Sequence, residues 1–508
     1  MGEAGADSAP ASPLDAVRAA RDAALDAARP EATAKRHAQG RLTAREGIDA
    51  FLDAGSFVEI GRVAKPARED MAGAADGVVM GHGLAHGRPV AVMAYDYTVH
   101  AGTQGYVNHL KTDRIYALAA ANRWPVVSWL EGGGARPHDF AVSMRGDTHT
   151  FVNAARLSGL VPTIGIVSGR CFAGNANLAG LCDILIATEQ AVMGMAGPAL
   201  VQQALGFTPK PEEIGPAQVH VEAGAVDALV KDDRAAAALA RKAIGYFFGA
   251  APPGRAPDTA KLRTIVPADP MQGYNVRRVL DHLCDVDSIL ELRPRFGGAA
   301  VTALARIEGI PVGVVASQPT YLGGAIDSPT SDKIARFIQM CDAHDIPLVL
   351  LVDTPGLMVG PAVEKTALVR HSARILLALA NASVPFLTVV MRKAYGLGYY
   401  VLGSKALSPA LLLAWPTAEF GGMGLEGAAA IIWKKDFEAI ADDDARKRAL
   451  REKTDYLMRM NTALEVGGRF EYDDVIDPVE TRTMLAKTLR ALPKPAPRDG
   501  RKRTVDSW

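Results

Sequence analysis

Met391-Arg392-Lys393-Ala394-Tyr395-Gly396-Leu397-Gly398-Tyr399-Tyr400-Val401-Leu402-Gly403 decides the fold. The apolar run Val384-Pro385-Phe386-Leu387-Thr388-Val389-Val390 leads into it and reads as a buried strand. Gly396 and Gly398 follow one residue apart, and Tyr399 to Leu402 can start a helix. A strand turning through glycine into a helix aims unpaired backbone N–H groups at one point, which suits a developing negative charge. The chain repeats the device in part. Val161-Pro162-Thr163-Ile164-Gly165-Ile166-Val167 leads to Gly169-Arg170-Cys171-Phe172-Ala173-Gly174-Asn175-Ala176. Two similar turns therefore predict two held oxyanions.

Working outward, the repeat widens. Pro89, Lys111, Arg114, Pro125 and Gly174 recur 222 residues on as Pro311, Lys333, Arg336, Pro347 and Gly396, and Pro162 recurs as Pro385. A register held that far predicts a duplicated α/β domain, not a solenoid unit. The expected organisation is a disordered tail over 1–13, a first domain over 14–248, and a linker over 249–259. A second domain over 260–495 and a basic tail over 496–508, with Arg498, Arg501, Lys502 and Arg503, complete it. Within the first domain the pattern predicts a helix from Leu14 to about Arg29. It predicts a second from Thr43, as N-cap, through Phe51. A hairpin is expected over 76–95 with a Gly87-Arg88-Pro89 turn. A helix follows over Lys111–Asn122 on the spacing of Ile115, Leu118 and Ala119, then a strand over Pro125–Leu130. Helices are also expected over Thr148–Leu160, over 233–247, and in the charged, solvent-facing stretch Trp433–Leu464.

Bulk composition narrows the function classes. Lys+Arg and Asp+Glu are both 56 in 508 residues, which gives no reason to expect nucleic acid or an anionic membrane as partner. The four cysteines form no C-x-x-C pair, which fits a reducing compartment. No membrane-length apolar run or apolar signal region is present, so a cytoplasmic location is expected. No phosphate loop, no G-x-S-x-G elbow and no His spacing for a metal occurs, so no metal is expected. Gly422-Met423-Gly424-Leu425-Glu426-Gly427 matches G-x-G-x-x-G, but Pro416 to Phe420 is read as breaking the strand a dinucleotide fingerprint needs. His100, His109, His149 and His220 read as scattered polar or core residues, and His138, after the glycine-rich loop, as the exception. What remains is backbone chemistry: glycine lets a ligand approach the amides, and pre-aimed amides need no side-chain nucleophile.

The residues also carry a resemblance. Arg41-Leu42-Thr43-Ala44-Arg45-Glu46, Gly55-Ser56-Phe57-Val58-Glu59, Asp76-Gly77-Val78-Val79, Gly133-Gly134-Ala135-Arg136 and Ala316-Ser317-Gln318-Pro319 carry its first part. Val352-Asp353-Thr354-Pro355-Gly356, Arg392-Lys393-Ala394-Tyr395-Gly396, Leu413-Ala414-Trp415-Pro416-Thr417-Ala418 and Asp474-Val475-Ile476-Asp477-Pro478-Val479-Glu480-Thr481-Arg482 carry the rest. Together they resemble the carboxyltransferase (beta) subunit of biotin-dependent acyl-CoA carboxylases, of the propionyl-CoA and methylcrotonyl-CoA type, in the crotonase superfamily. The resemblance implies two tandem crotonase-like (ClpP/crotonase) α/β domains of ββα-spiral build, related by duplication. It implies CO2 transfer between N1 of carboxybiotin, on a separate carrier protein, and the α-carbon of a coenzyme A thioester. The enolate and the ureido oxygen would each be held by backbone amides, and biotin, once it has lost its carboxyl group, would take the α-proton.

Carried over, Ala173 and Gly174 would hold the thioester oxygen, and Leu397 and Gly398 the biotin oxygen. Gly133, Gly134, Ala135, Arg136 and Asn175 would bind acyl-CoA. Tyr395, Gly396, Tyr399 and Tyr400 would line the biotin and acyl pocket. Acyl-CoA and a biotin carboxylase with its carrier subunit would be partners, and each site would form between the first half of one subunit and the second half of another, in a hexameric trimer of dimers. Three departures stand out. Ala173-Gly174-Asn175 replaces Gly-Gly-Ala, and Asn175 either donates to the acyl group or braces the turn. Tyr395-Gly396-Leu397-Gly398-Tyr399-Tyr400 stands for Tyr-Gly-Gly-Ala-Tyr-Asp, with Tyr400 in place of an acidic residue that lines the acyl pocket. Leu357-Met358-Val359-Gly360-Pro361-Ala362 replaces an acidic, glycine-rich loop. Alternatives are the decarboxylase direction, a hydratase or isomerase with Glu131 and Asp139 as its carboxylates, and a non-catalytic scaffold subunit.

Overall fold

The computed structural model describes residues 12–137, 139, 148–493 and 504–508. It divides into two compact units, Met1–His220 with Leu229–Ile244, and Val221–Ala228 with Gly245–Trp508. The first is built on a seven-stranded sheet ordered β1-β2-β3-β4-β5-β7-β9. Its strands are β1 (Val58–Ile60), β2 (Val78–Ala85), β3 (Arg88–Tyr95), β4 (Val126–Trp129), β5 (Thr163–Val167), β7 (Ile184–Thr188) and β9 (Ala228–Val230). Strands β6 (Arg170–Phe172) and β8 (Val192–Gly194) pair in parallel apart from it. β1, β2 and β3 are antiparallel; β3, β4, β5 and β7 run parallel. Every residue of β4, β5 and β7 is buried, as parallel strands covered on both faces require.

The second unit repeats this order as β10-β11-β12-β13-β14-β15-β17. Its strands are β10 (Leu290–Leu292), β11 (Ala300–Ile307), β12 (Ile310–Ser317), β13 (Leu348–Thr354), β14 (Phe386–Tyr395), β15 (Leu411–Ala414) and β17 (Asp474–Val475). β14 continues past β15, and its far end pairs in parallel with β16 (Glu419–Gly421), Tyr395 opposite Gly421. The core is a continuous cluster that includes Val301, Val314, Leu351, Val389, Leu413 and Trp415. A mixed α/β domain occurs twice, with one topology.

Local expectations hold with corrections. Thr43 caps the helix Ala44–Phe51 in a capping box with Glu46. The stretch Leu14–Arg29 is not one helix: Ser12 caps Pro13–Asp22, and the chain then turns through Asp26–Ala28. The chain turns extended at Leu25, and beyond the break Arg29 holds Asp96 at 2.8 Å and Thr98 at 3.3 Å. The hairpin turn is His86-Gly87, both at positive φ, while Arg88 and Pro89 already belong to β3. The helix Tyr106–Asn122 buries Asn108, Lys111, Thr112, Ile115, Tyr116 and Ala119, so Leu118 lies off its inward face. The charged helix Asp443–Met460 buries no residue. The break expected at Pro416–Phe420 is absent, because β16 runs through Glu419–Gly421 and the helix Leu425–Ile432 follows. A methyl on Gly422, Gly424 or Gly427 would still meet open space, so these glycines do not serve the close packing of a dinucleotide fingerprint. Arg498, Arg501, Lys502 and Arg503 lie outside the described residues, as does His138.

Candidate active site

The first turn begins where β6 ends. Ala173 takes φ 50° and ψ −119°, and the helix Gly174–Gly180 starts at once. Ala173 N–H donates to Gly194 O at 2.9 Å, and Ala173 O accepts from Asn177 N. Its amide is therefore not a free donor, which corrects the expected Ala173–Gly174 pair. The first-turn amides, beginning with Gly174 and Asn175, have no acceptor within their own helix. A methyl at 174 would lie 2.1 Å from Gln104 Oε1, so Gln104, whose Nε2 donates to the Tyr95 hydroxyl, would have to shift to admit one. Burial pushes the neighbouring Cys171 thiol well above its ordinary pKa, so it is no thiolate nucleophile.

The glycine loop closes on this turn. Gly132 N donates to Arg170 O at 2.7 Å, and Phe172 N returns a bond to Gly132 O. Gly133 N donates to Ala101 O, and Gln104 N to Gly134 O. Gly134, at φ 83°, donates its N–H to Asn175 Oδ1 at 3.0 Å. Asn175 is fully buried, and its Nδ2 donates to Gly102 O at 3.5 Å. Of the two roles open to it, Asn175 takes the bracing one. Gly133 and Ala135 stay exposed beside the turn.

Arg136 corrects another expectation. It is 2% exposed and turned inward, 2.6 Å from Asp76, 3.4 Å from Asp139 and 3.0 Å from Thr103 O. Its guanidinium has no face left for coenzyme A. Glu131 is gripped by Arg36 at 2.8 Å and Arg41 at 3.1 Å, and Asp139 also accepts from Tyr106 N. Both carboxylates proposed for hydratase chemistry are thus tied to cations. His109 bonds Thr150 Oγ1, and His100 and His220 bond backbone carbonyls, so these three do structural work.

The second turn begins at the end of β14. Gly396 sits at φ 55°, a methyl on it would lie 2.8 Å from Gly422 O, and the helix Gly396–Val401 starts there. Gly398 packs on Gly356, whose Cα would lie 2.6 Å from a methyl at 398. Tyr395 is buried and donates its hydroxyl to Glu419 Oε1 at 2.6 Å; burial and then that carboxylate push its pKa up. Tyr399 meets Phe420 edge-on at 5.0 Å, and Phe420 leans on Tyr472 at 4.6 Å. A cleft of about 500 Å³ runs along Gly396, Tyr399, Tyr400, Lys405, Phe420 and Arg469. Gly396, Tyr399 and Tyr400 thus share one cleft, while Tyr395 lies beneath it and Leu397, 55% exposed, points elsewhere into solvent.

The glycine loops beside the two turns share two backbone hydrogen bonds and a bridge. Gln104 N donates to Gly134 O at 2.7 Å, and Ile326 N to Gly356 O at 3.0 Å. Arg136 N donates to Gln104 O at 2.8 Å, and Met358 N to Ile326 O at 2.9 Å. Bridges join Gln104 to Ala135 and Ile326 to Leu357. Gly174–Asn175 is therefore equivalent to Gly396–Leu397, one residue before the expected Leu397–Gly398 pair. Sequence reasoning missed Gly102, Gln104, Glu419 and Phe420. Gly102 recurs 222 residues on as Gly324 and could have been found in that register; Gln104 stands opposite Ile326, and neither it, Glu419 nor Phe420 carried such a signal. Among the described residues no cluster of three His, Cys, Asp or Glu could hold a metal ion.

Comparison with known proteins gives the family. The carboxyl transferase domain model matches residues 35–503. The chain is 36% identical over 470 residues to the methylmalonyl-CoA carboxyltransferase 12S subunit of Propionibacterium freudenreichii subsp. shermanii, covering 90% of this chain and 89% of that one. It is 36% identical over 477 residues to the biotin-dependent long chain acyl-coenzyme A carboxylase beta4 subunit of Mycobacterium tuberculosis, covering 91% of each. The transcarboxylase 12S hexamer, solved with methylmalonyl-coenzyme A bound, superposes with a TM-score of 0.86 at 34% identity, over 96% of this chain and 97% of that one. A single-chain, multi-domain long-chain acyl-CoA carboxylase superposes with a TM-score of 0.88 at 41% identity over 94% of this chain, which spans about half (49%) of that protein. The chain belongs to the carboxyl transferase family and is an acyl-CoA carboxyltransferase of the crotonase fold.

Proposed function

We propose that the chain moves CO2 between biotin and the α-carbon of an acyl-CoA with backbone amides in place of side-chain acids and bases. The observation that carries this reading is that each unit sets a glycine at the start of a short helix beside a loop held by the same two backbone bonds and bridge. The amides of Gly174 and Asn175 hold the thioester oxygen as it gains enolate charge. Those of Gly396, Leu397 and Gly398 face the ureido oxygen. Such donors cost no reorganisation at the moment of reaction, and losing one costs about 2.7–4 kcal/mol in comparable sites. Biotin, delivered on a separate carrier protein, supplies the carboxyl group and the base. Its bicyclic ring fits the cleft beside Gly396, where Tyr399 and Phe420 offer ring edges and faces. Gly133 and Ala135, exposed beside the first turn, line the acyl-CoA approach.

The hydratase or isomerase alternative needs two placed, free carboxylates. Glu131 and Asp139 are both bonded to arginines, which disfavours it. The site serves carboxylation and decarboxylation alike, because one enolate lies between them. We further propose a hexamer, as described for transcarboxylase 12S, working with a biotin carboxylase and carrier subunit in the cytoplasm. All four cysteines are unpaired, which supports a reducing compartment, and among the described residues no helix is long and apolar enough to cross a membrane. The test is transfer from a carboxylated biotin carrier to a panel of acyl-CoAs, run in both directions. Turnover of at least one thioester is expected; neither turnover nor acyl-CoA binding would overturn the reading.

A further inference from the structure

Each unit must solve the same local problem. A glycine at positive φ, Gly134 or Gly356, presents a buried N–H that needs an acceptor. A second carbonyl, Gly102 O or Gly324 O, faces it from the preceding turn and needs a donor. In the first unit the Asn175 carboxamide answers both, accepting from Gly134 N at 3.0 Å and donating to Gly102 O at 3.5 Å. In the second unit the Thr354 hydroxyl answers both, accepting from Gly356 N at 3.1 Å and donating to Gly324 O at 2.8 Å. The two residues do not occupy equivalent positions. Thr354 corresponds to Gly132, and Asn175 corresponds to Leu397. Duplicated halves have kept one hydrogen-bond bridge while moving the side chain that makes it.

The move has a consequence in each half. At Gly132 a methyl would lie 2.4 Å from Asn175 Nδ2 and 2.3 Å from Gly102 O, so the first loop has no room for its own bridging side chain. The bridge must come from the helix, and it comes from the residue next to Gly174. In the second half the loop supplies its own bridge, which releases position 397. Leu397 accordingly stands 55% exposed where Asn175 is fully buried.

We propose that Asn175 and Thr354 are the positioning residues of the two turns, each fixing its glycine loop against the amides that hold charge. This rests on the carboxyltransferase reading above. Neither side chain touches a reacting atom; each acts through backbone placement, and a misplacement of about 1 Å can cost on the order of 100-fold in rate.

The experiment is steady-state carboxyl transfer by the full-length protein, comparing wild type with Asn175→Ala, Thr354→Val and Thr354→Ser. The expected result is a fall in kcat of about 10-fold or more for Asn175→Ala and Thr354→Val. KM for acyl-CoA should stay within about 2-fold, and Thr354→Ser, which keeps the hydroxyl, should restore wild-type kcat. Circular dichroism and the assembly's mass establish that each variant folds. Should Asn175→Ala fail to fold, the Val and Ser pair at 354 still decides. Folded variants with unchanged kcat, losses confined to KM, or a Ser variant as slow as Val would overturn the proposal. A wild type inactive on every thioester would instead bring down the carboxyltransferase reading, and this proposal with it.

Discussion

Lys111 and Lys333 show what a single residue does in this fold. Each is buried with its ammonium on two backbone carbonyls: Ala75 and Val78 for Lys111, Gly297 and Ala300 for Lys333. Burial lowers the pKa of Lys111 to about 8 and of Lys333 to about 7 from 10.5. Glu59 and Asp76 oppose that shift at Lys111 while Arg45 adds to it; Glu291 opposes it at Lys333 while Arg277 and Arg293 add to it. With the folded pKa below the unfolded one, the native state binds fewer protons between about pH 7 and 10.5. Stability should therefore rise with pH across that window. A neutral amine still donates two N–H groups, so the carbonyls stay paired. Lys333→Met should flatten the pH dependence in chemical denaturation and cost about 1–3 kcal/mol for the abandoned carbonyls. Arg136 belongs to the same scale. Arg136→Met strands the fully buried Asp76 and should cost about 3–5 kcal/mol in the same measurement.

At the scale of elements, the strand–glycine–helix turns carry the chemistry, and their two faces should respond differently. Gly398→Ala sets a methyl 2.6 Å from Gly356 Cα and 2.7 Å from its carbonyl carbon, so the helix Gly396–Val401 must move away from its loop. We expect kcat to fall by roughly 100-fold or more. A Gly398→Val variant would be a poor probe of chemistry alone, because the same clash also disturbs packing. Leu397→Ala touches only an exposed side chain and should leave stability within about 0.5 kcal/mol. Thermal unfolding beside kcat separates the two cases. The capping box at Thr43 is a local term of another kind. Thr43→Ala should cost about 1 kcal/mol with no effect on kcat, since the helix it caps bears no turn residue.

For the whole molecule, the repeated sheet order is the controlling fact. The same strand order, two antiparallel pairings followed by parallel ones, occurs in both units; the first glycine turn leaves β6, which pairs apart from that sheet, and the second leaves the far end of β14. The proposed hexamer carries its own check. Light scattering should give six copies of the 53.7 kDa chain, and a monomer at working concentration would contradict it.

How much of this was legible follows from which forces are local. The apolar runs, the Thr43 cap and the 222-residue register depend on neighbours in sequence or on spacing, so the sequence by itself determined the duplicated α/β domains and both glycine turns. The pattern failed where polar groups are buried: Asn108, Lys111 and Thr112 lie on the inward face of their helix, and no apolar periodicity marks them. It failed again where a role depends on a partner distant in the chain. Only the tertiary structure decided that Ala173 N–H is taken by Gly194, that Arg136 is locked to Asp76, and that Asn175 answers Gly134. A donor's availability is set by the acceptors that folding brings to it, and those lie 21 to 60 residues away along the chain.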